Sequence, residues 1–150
     1  MHRRTFLGLT VGTASVLAGA LLIPIRAPAA WLKAAFESTT LDEAMKALFG
    51  TAQIKHSNAV VVDAPELATS ATHVPVTVST SLENPESIAI FSEKNPNPLI
   101  ASFTLTPEVS SGISVRIKVG GKTNVVGVVR ADGALYQNQT YVRATAGACA

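Results

Sequence analysis

From Val74 to Ser79 apolar and polar residues alternate strictly, with Val74, Val76 and Val78 on one side and Pro75, Thr77 and Ser79 on the other. Period two is the mark of a strand with one buried face, and no helix can place such a pattern on a single side. Ile113-Ser114-Val115-Arg116-Ile117-Lys118-Val119 repeats it. Shorter apolar runs lie at residues 59–62, 87–91, 99–105, 124–129 and 140–144. Between them stand Asp63-Ala64-Pro65, Glu83-Asn84-Pro85-Glu86, Glu93-Lys94-Asn95-Pro96-Asn97-Pro98 and Gly120-Gly121, and Ala131-Asp132-Gly133 turns back into Ala134-Leu135-Tyr136. About seven short strands separated by turn signals predict an all-β fold, an antiparallel β-sandwich. No βαβ spacing occurs, which argues against a parallel sheet.

A short helix precedes the strands. Thr39 or Thr40 can cap it, Asp42 and Glu43 fall in its first turn, and Leu41, Met45, Leu48 and Phe49 recur at helical spacing before Gly50. Trp31, Leu32 and Phe36 form an earlier helical turn on the same side. Upstream lies a different kind of segment. Arg3-Arg4 is followed by Phe6-Leu7, an apolar run to Ile25 diluted by glycines, and Ala27-Pro28-Ala29-Ala30. This layout is a secretory signal of the twin-arginine type with a cleavage site near Ala27-x-Ala29. A permanent membrane anchor is the competing reading, since the run nearly reaches spanning length. The small-residue end and the modest hydropathy favour cleavage, and with it a periplasmic destination with no stable membrane anchor. The domain organisation read this way is a signal over residues 1–29, a helix plus β-sandwich over 30–144 and a flexible tail over 145–150.

Cleavage changes the electrostatics. Loss of Arg3, Arg4 and Arg26, with no acidic residue, turns the formal charge of +2 into −1. The basic character therefore belongs to the signal, and nucleic-acid binding loses its support. The one cysteine, Cys149, is second from the end in Ala146-Gly147-Ala148-Cys149-Ala150. It has no cysteine partner in its own chain, and a chain end is a poor place for a core residue. Reactivity remains, because a thiolate can carry a covalent adduct. No cationic residue follows Arg143 to activate it locally. No phosphate loop, no Cys-x-x-Cys and no His-x-x-x-His occurs, and no cofactor is expected. His56 and His73 read as surface or strand-edge residues, and Asp63 and Glu66 around Pro65 as turn residues. Asn138-Gln139-Thr140 fits a glycosylation acceptor but is discounted by the bacterial type of export signal. Nothing forms a catalytic triad or dyad. The chain reads as a carrier and not as an enzyme.

A twin-arginine signal, one β-sandwich and a single cysteine on a small-residue tail resemble the SoxY family, the sulfur-carrier subunits of Sox thiosulfate oxidation. Residues 88–99, Ile-Ala-Ile-Phe-Ser-Glu-Lys-Asn-Pro-Asn-Pro-Leu, are similar to that family's middle region. So are Asp63-Ala64-Pro65-Glu66, Val74-Pro75-Val76-Thr77-Val78 and Val125-Val126-Gly127-Val128-Val129-Arg130. The resemblance implies an immunoglobulin-like sandwich paired with a SoxZ-like β-sandwich subunit as a heterodimer. It implies covalent substrate attachment at Cys149, loading by a SoxAX-like haem enzyme, hydrolysis by a SoxB-like enzyme, and a sulfane dehydrogenase as a further partner. The family tail is Gly-Gly-Cys-Gly-Gly. Here Gly147 keeps the first glycine, Ala148 and Ala150 replace the second and third, and the fourth is absent. Gly147, Ala148 and Ala150 make up the flexible arm, and the two added methyl groups widen it beside the sulfur. The competing function is an exported adaptor, or a divergent carrier paralogue, whose Cys149 forms an intermolecular disulfide. A metal chaperone is the weakest reading, because one soft ligand is too few for a stable site.

Overall fold

The computed structural model describes residues 29–50, 53–106 and 112–145. Residues 1–28 of the expected signal lie outside the described residues, as do Gly147, Ala148, Cys149 and Ala150. In chain order the elements are α1 (Ala29–Glu37), α2 (Leu41–Phe49), β1 (Ile54–His56), β2 (Val60–Asp63), β3 (Leu67–Ala68), β4 (Val74–Thr80), β5 (Pro85–Ser92), β6 (Leu99–Thr104), β7 (Gly112–Ile117), β8 (Lys122–Ala131) and β9 (Ala134–Ala144).

The strands form two facing sheets, as the alternating pattern requires. The larger has the order β1-β9-β8-β5-β6, with β3 also paired to β9, and the smaller has the order β2-β4-β7. Val60, Val62, Val74, Val76 and Val78 of the small sheet meet Ile88, Ile90, Val125, Val129 and Val142 of the large one in a shared core. Each such buried side chain contributes about 1.5–3 kcal/mol relative to exposure. The other face of the large sheet is also covered: Ala89, Phe91, Val126, Val128 and Leu135 pack under Ala44, Leu48 and Phe49 of α2. Burial on both faces explains why β5 and β8 read as continuous apolar runs while β4 and β7 alternate.

The predicted helix caps form as expected. Thr40 Oγ1 accepts a hydrogen bond from Glu43 N at 3.3 Å, and Gly50 ends α2 with φ of 75°. α1 departs from expectation. Leu32 and Phe36 are 40% and 39% exposed, while Ala35 is buried. This helix leans mainly on α2 and touches the sheet at β6, with Ala35 rather than Leu32 or Phe36 buried in the core beneath it.

The strand reading also needs adjustment. Ala134-Leu135-Tyr136 and residues 140–144, read as two candidates, are one strand of 11 residues, β9. β1 and β3 pair with β9 in parallel, Ile54 opposite Leu135 and Leu67 opposite Arg143. Both are short and lack clean alternation, so only the long-range partner reveals them as strands. The remaining pairings are antiparallel.

At Gly127 the two sheets approach closely. A Cβ placed there would lie 2.8 Å from Val62 Cγ2 and 2.9 Å from Val78 Cγ1, atoms of the opposite sheet. Gly127→Ala should therefore lower unfolding stability by about 1–3 kcal/mol through overpacking. Urea denaturation measures it, and an unchanged midpoint would show that the sheets separate freely at this point.

Candidate functional site

The last described strand leads directly to the predicted cysteine tail, so the root of that tail is the place to build from. Val142 and Ala144 are buried, which fixes the end of β9 in the core. Arg143 N donates to Glu66 O at 2.7 Å, Ala144 N to Gly121 O at 3.1 Å and Thr145 N to Ala68 O at 3.0 Å. Thr145 Oγ1 adds contacts of 3.3 Å to the carbonyl oxygens of Ala68 and Thr69. The chain is thus clamped from both sides up to Thr145, and Cys149 follows only four positions later. A fully extended stretch of that length reaches about 14 Å at ~3.5 Å per residue.

The surroundings of this root come from three distant segments. Asn95, in the turn between β5 and β6, accepts from Ser92 Oγ at 3.1 Å and from Gly120 N at 2.7 Å. Its Nδ2 donates to Lys118 O at 2.8 Å. Lys94 N donates to Thr123 Oγ1 at 3.0 Å, and Asn124 Nδ2 donates to Glu93 Oε2 at 2.9 Å. Val119 N donates to Ala71 O at 2.8 Å. The Glu93–Pro98 stretch, legible in sequence only as a break, is therefore a bracket that holds the β7–β8 loop against the tail root. Beside the root, Pro65, Leu67, Ala68, Thr69, His73 and Pro75 line a shallow groove of about 250 Å³.

The bracket also gathers charge. Lys94, Lys118, Lys122 and Arg143 are all exposed on these bonded segments, and Lys122 stands directly opposite Arg143 in the β8–β9 ladder. None of them forms an ion pair among the described residues, where Lys33–Glu37 at 3.7 Å is the pair found. Sequence reading saw Arg143 as the last cation before the thiol and missed the three lysines, because they arrive from other loops.

The bland expectations for the remaining polar residues agree with their placement. His56 is exposed on β1 opposite Gln137, and His73 is an exposed loop residue 2.8 Å from Thr72 Oγ1. Asp63 is exposed at the end of β2, and Glu66 contributes its backbone carbonyl to Arg143. Asn138 uses its side chain internally, donating to Val60 O at 2.8 Å and so linking the two sheets. Among the described residues no three His, Cys, Asp or Glu side chains converge as metal ligands, and no helix is long and apolar enough to cross a membrane.

Residues 45–149 match the family model described as sulfur oxidation protein SoxY. The chain belongs to the SoxY family. A solved structure of the sulfur carrier protein SoxY from Chlorobium limicola f thiosulfatophilum is 39% identical, with a TM-score of 0.64, over 71% of this chain and 96% of that one. A superoxide reductase (neelaredoxin) from Ignicoccus hospitalis is 13% identical with a TM-score of 0.51, over 71% of this chain and 93% of that one, and shares the fold alone. No match was found among curated proteins. The SoxY assignment agrees with the mostly-β, two-sheet architecture and with an immunoglobulin-like sandwich. The matched segment ends at Cys149, whereas α1 precedes it.

Removal of the bracket tests its role in setting the tail root. Asn95→Ala should cost about 1–3 kcal/mol, because it removes three hydrogen bonds of about 0.5–1.5 kcal/mol each from a half-buried side chain. It should also speed amide hydrogen exchange at Gly120 while leaving the core strands protected. Unaltered exchange at Gly120 would show that the loop holds its position without Asn95.

Proposed function

We propose that this SoxY-family chain is a periplasmic carrier that holds sulfur intermediates covalently on Cys149 and presents them to partner enzymes. The observation that carries the reading is the SoxY match over residues 45–149, which takes in the single cysteine of the chain at its last position. The geometry supports it. A thiol that must visit several active sites needs a thin arm on a firm base, and the chain is pinned at Thr145 with only small residues between it and Cys149. Export over residues 1–29 by the twin-arginine route, a body over 30–144 and an arm over 145–150 complete the proposed organisation.

The partners proposed on this reading are a SoxZ-like β-sandwich subunit, a SoxAX-like haem enzyme, a SoxB-like hydrolase and a sulfane dehydrogenase. A stable heterodimer would cover apolar surface such as Leu32 and Phe36 of α1, which the domain itself leaves exposed. The methyl groups of Ala148 and Ala150 narrow the clearance around the sulfur inside a tight partner channel. The substituted arm is therefore expected to alter partner preference more than carriage itself.

Cys149→Ser isolates the chemistry from the fold. The variant should unfold within about ±0.5 kcal/mol of the parent, because the residue follows the last strand, β9, among small residues with little side chain to pack. Intact-mass measurement of protein purified from its native envelope should find sulfur or thiosulfate adducts on the parent tail and none on the variant. A parent carrying only an intermolecular disulfide would favour the adaptor reading. Normal thiosulfate-dependent loading of the variant would end the carrier reading.

A further inference from the structure

The small sheet has one face in the core and the other open. Val60, Val62, Val74, Val76 and Val78 point inward, so the alternate residues of β2, β4 and β7 point out, on the opposite side of the sandwich from α2. The central strand presents Pro75, Thr77 and Ser79 there, none of them charged, and Thr77 Oγ1 lies 2.8 Å from Ser114 Oγ as a hydrogen-bonded pair. A charge-depleted centre is the compositional mark of an interface core. Two charges flank it, Asp63 on β2 and Arg116 on β7. Both are exposed, and neither forms an ion pair among the described residues. The register fixes their heights. Val61 and Gly112 share one row across the sheet, through Ser79. Asp63 and Ser114 share the next, through Thr77, and Arg116 lies one row beyond, opposite Pro75.

We propose that this face is an interface between two copies of the chain, packed sheet on sheet about a two-fold axis that runs along β4. A two-fold contact must be self-complementary, and each match in it occurs twice. Such an axis lays β2 of one copy over β7 of the other and keeps every row at its own height. Val61, 50% exposed, then stands over Gly112 of the second copy, where no side chain competes for the space. Asp63 stands over Ser114 of the second copy, and Arg116 of that copy is one row away, a step of about 7 Å along the strand. That step is within the combined reach of the two side chains, so unlike charges meet at two symmetry-related places. An axis across the strands would instead lay β2 over β2 and β7 over β7, and would keep the two charges apart. Three strands about 4.8 Å apart make a small contact. The dimer is therefore weak and forms as concentration rises. Nothing in this pairing depends on what Cys149 carries.

Sedimentation equilibrium of the mature chain provides the test, with Cys149→Ser as the parent so that no disulfide dimer enters the measurement. The average mass should climb from monomer towards dimer with a Kd between about 1 μM and 1 mM, the range of a weak contact. Asp63→Arg and Arg116→Asp, made singly, should each raise Kd by about tenfold or more, because each sets like charge against like across the face. The double variant Asp63→Arg/Arg116→Asp exchanges the two charges and should bring Kd back to within about threefold of the parent. Thermal unfolding of all three variants should match the parent, since both positions are exposed. Recovery in the double variant separates a paired contact from general damage to the sheet. A parent that stays monomeric up to about 1 mM, or a double variant no better than the single ones, would overturn the dimer. Neither result bears on sulfur loading, which the adduct mass reads separately.

Discussion

The ladder between β8 and β9 runs from Lys122 opposite Arg143 to Ala131 opposite Ala134, and the rest of the domain is assembled on it. Its closed end is a two-residue turn at Asp132 and Gly133 with φ of 48° and 73°, the left-handed pair that matches the twist of a hairpin. Its open end is where the tail leaves. β5 pairs along the free side of β8, and β1 and β3 take successive parts of the free side of β9. Both faces of this ladder are used: the inner one by the valines of the small sheet, the outer one by α2. β8 is buried along most of its length, and Val142 and Ala144 anchor the far end of β9 in the same core.

Tight approach of the sheets follows from the same ladder. Gly127 lets Val62 and Val78 reach the β8 backbone, and Asn138 then bonds across to Val60. The aromatic side is looser in kind. Phe49 tilts against Phe91 at a centroid distance of 6.3 Å, and the Arg130 guanidinium lies 5.8 Å above the Phe49 ring. The helix is therefore held by packing and by one cation over its last aromatic residue, in an arrangement worth about 0.5–1 kcal/mol at exposed positions. Polar tethers concentrate instead at the arm end, around Asn95. The body is apolar where it must only be stable and polar where a loop must be set against the tail.

Much of this was legible in the residues. The alternation of Val74, Val76 and Val78 named both the strand and its buried face, and Thr40 with Asp42 and Glu43 named the helix start. Residues 88–99 and the neighbouring segments carried the family resemblance that the SoxY match then established. What could not be read were β1 and β3, because three and two residues hold no period, and the exposure of Leu32 and Phe36, because an amphipathic pattern does not say which surface will be offered to it. The lysines on the segments around the end of β9 were hidden for a related reason. Lys94, Lys118 and Lys122 are spread over separate loops, and nothing local records that Asn95 and Thr123 draw those loops together.

By itself, then, the sequence determined the local states: which runs extend, where they turn, where the helix begins, and that one thiol stands near the chain end. Those follow from periodicity, capping and turn chemistry, which act over a few residues. The tertiary structure alone decided which strands share an edge, that Gly127 faces Val62 and Val78 of the opposite sheet, and that Lys94, Lys118 and Lys122 come to the segments bonded around the end of β9. These depend on contacts between residues far apart in the chain, whose free energy exists only once the sandwich has closed.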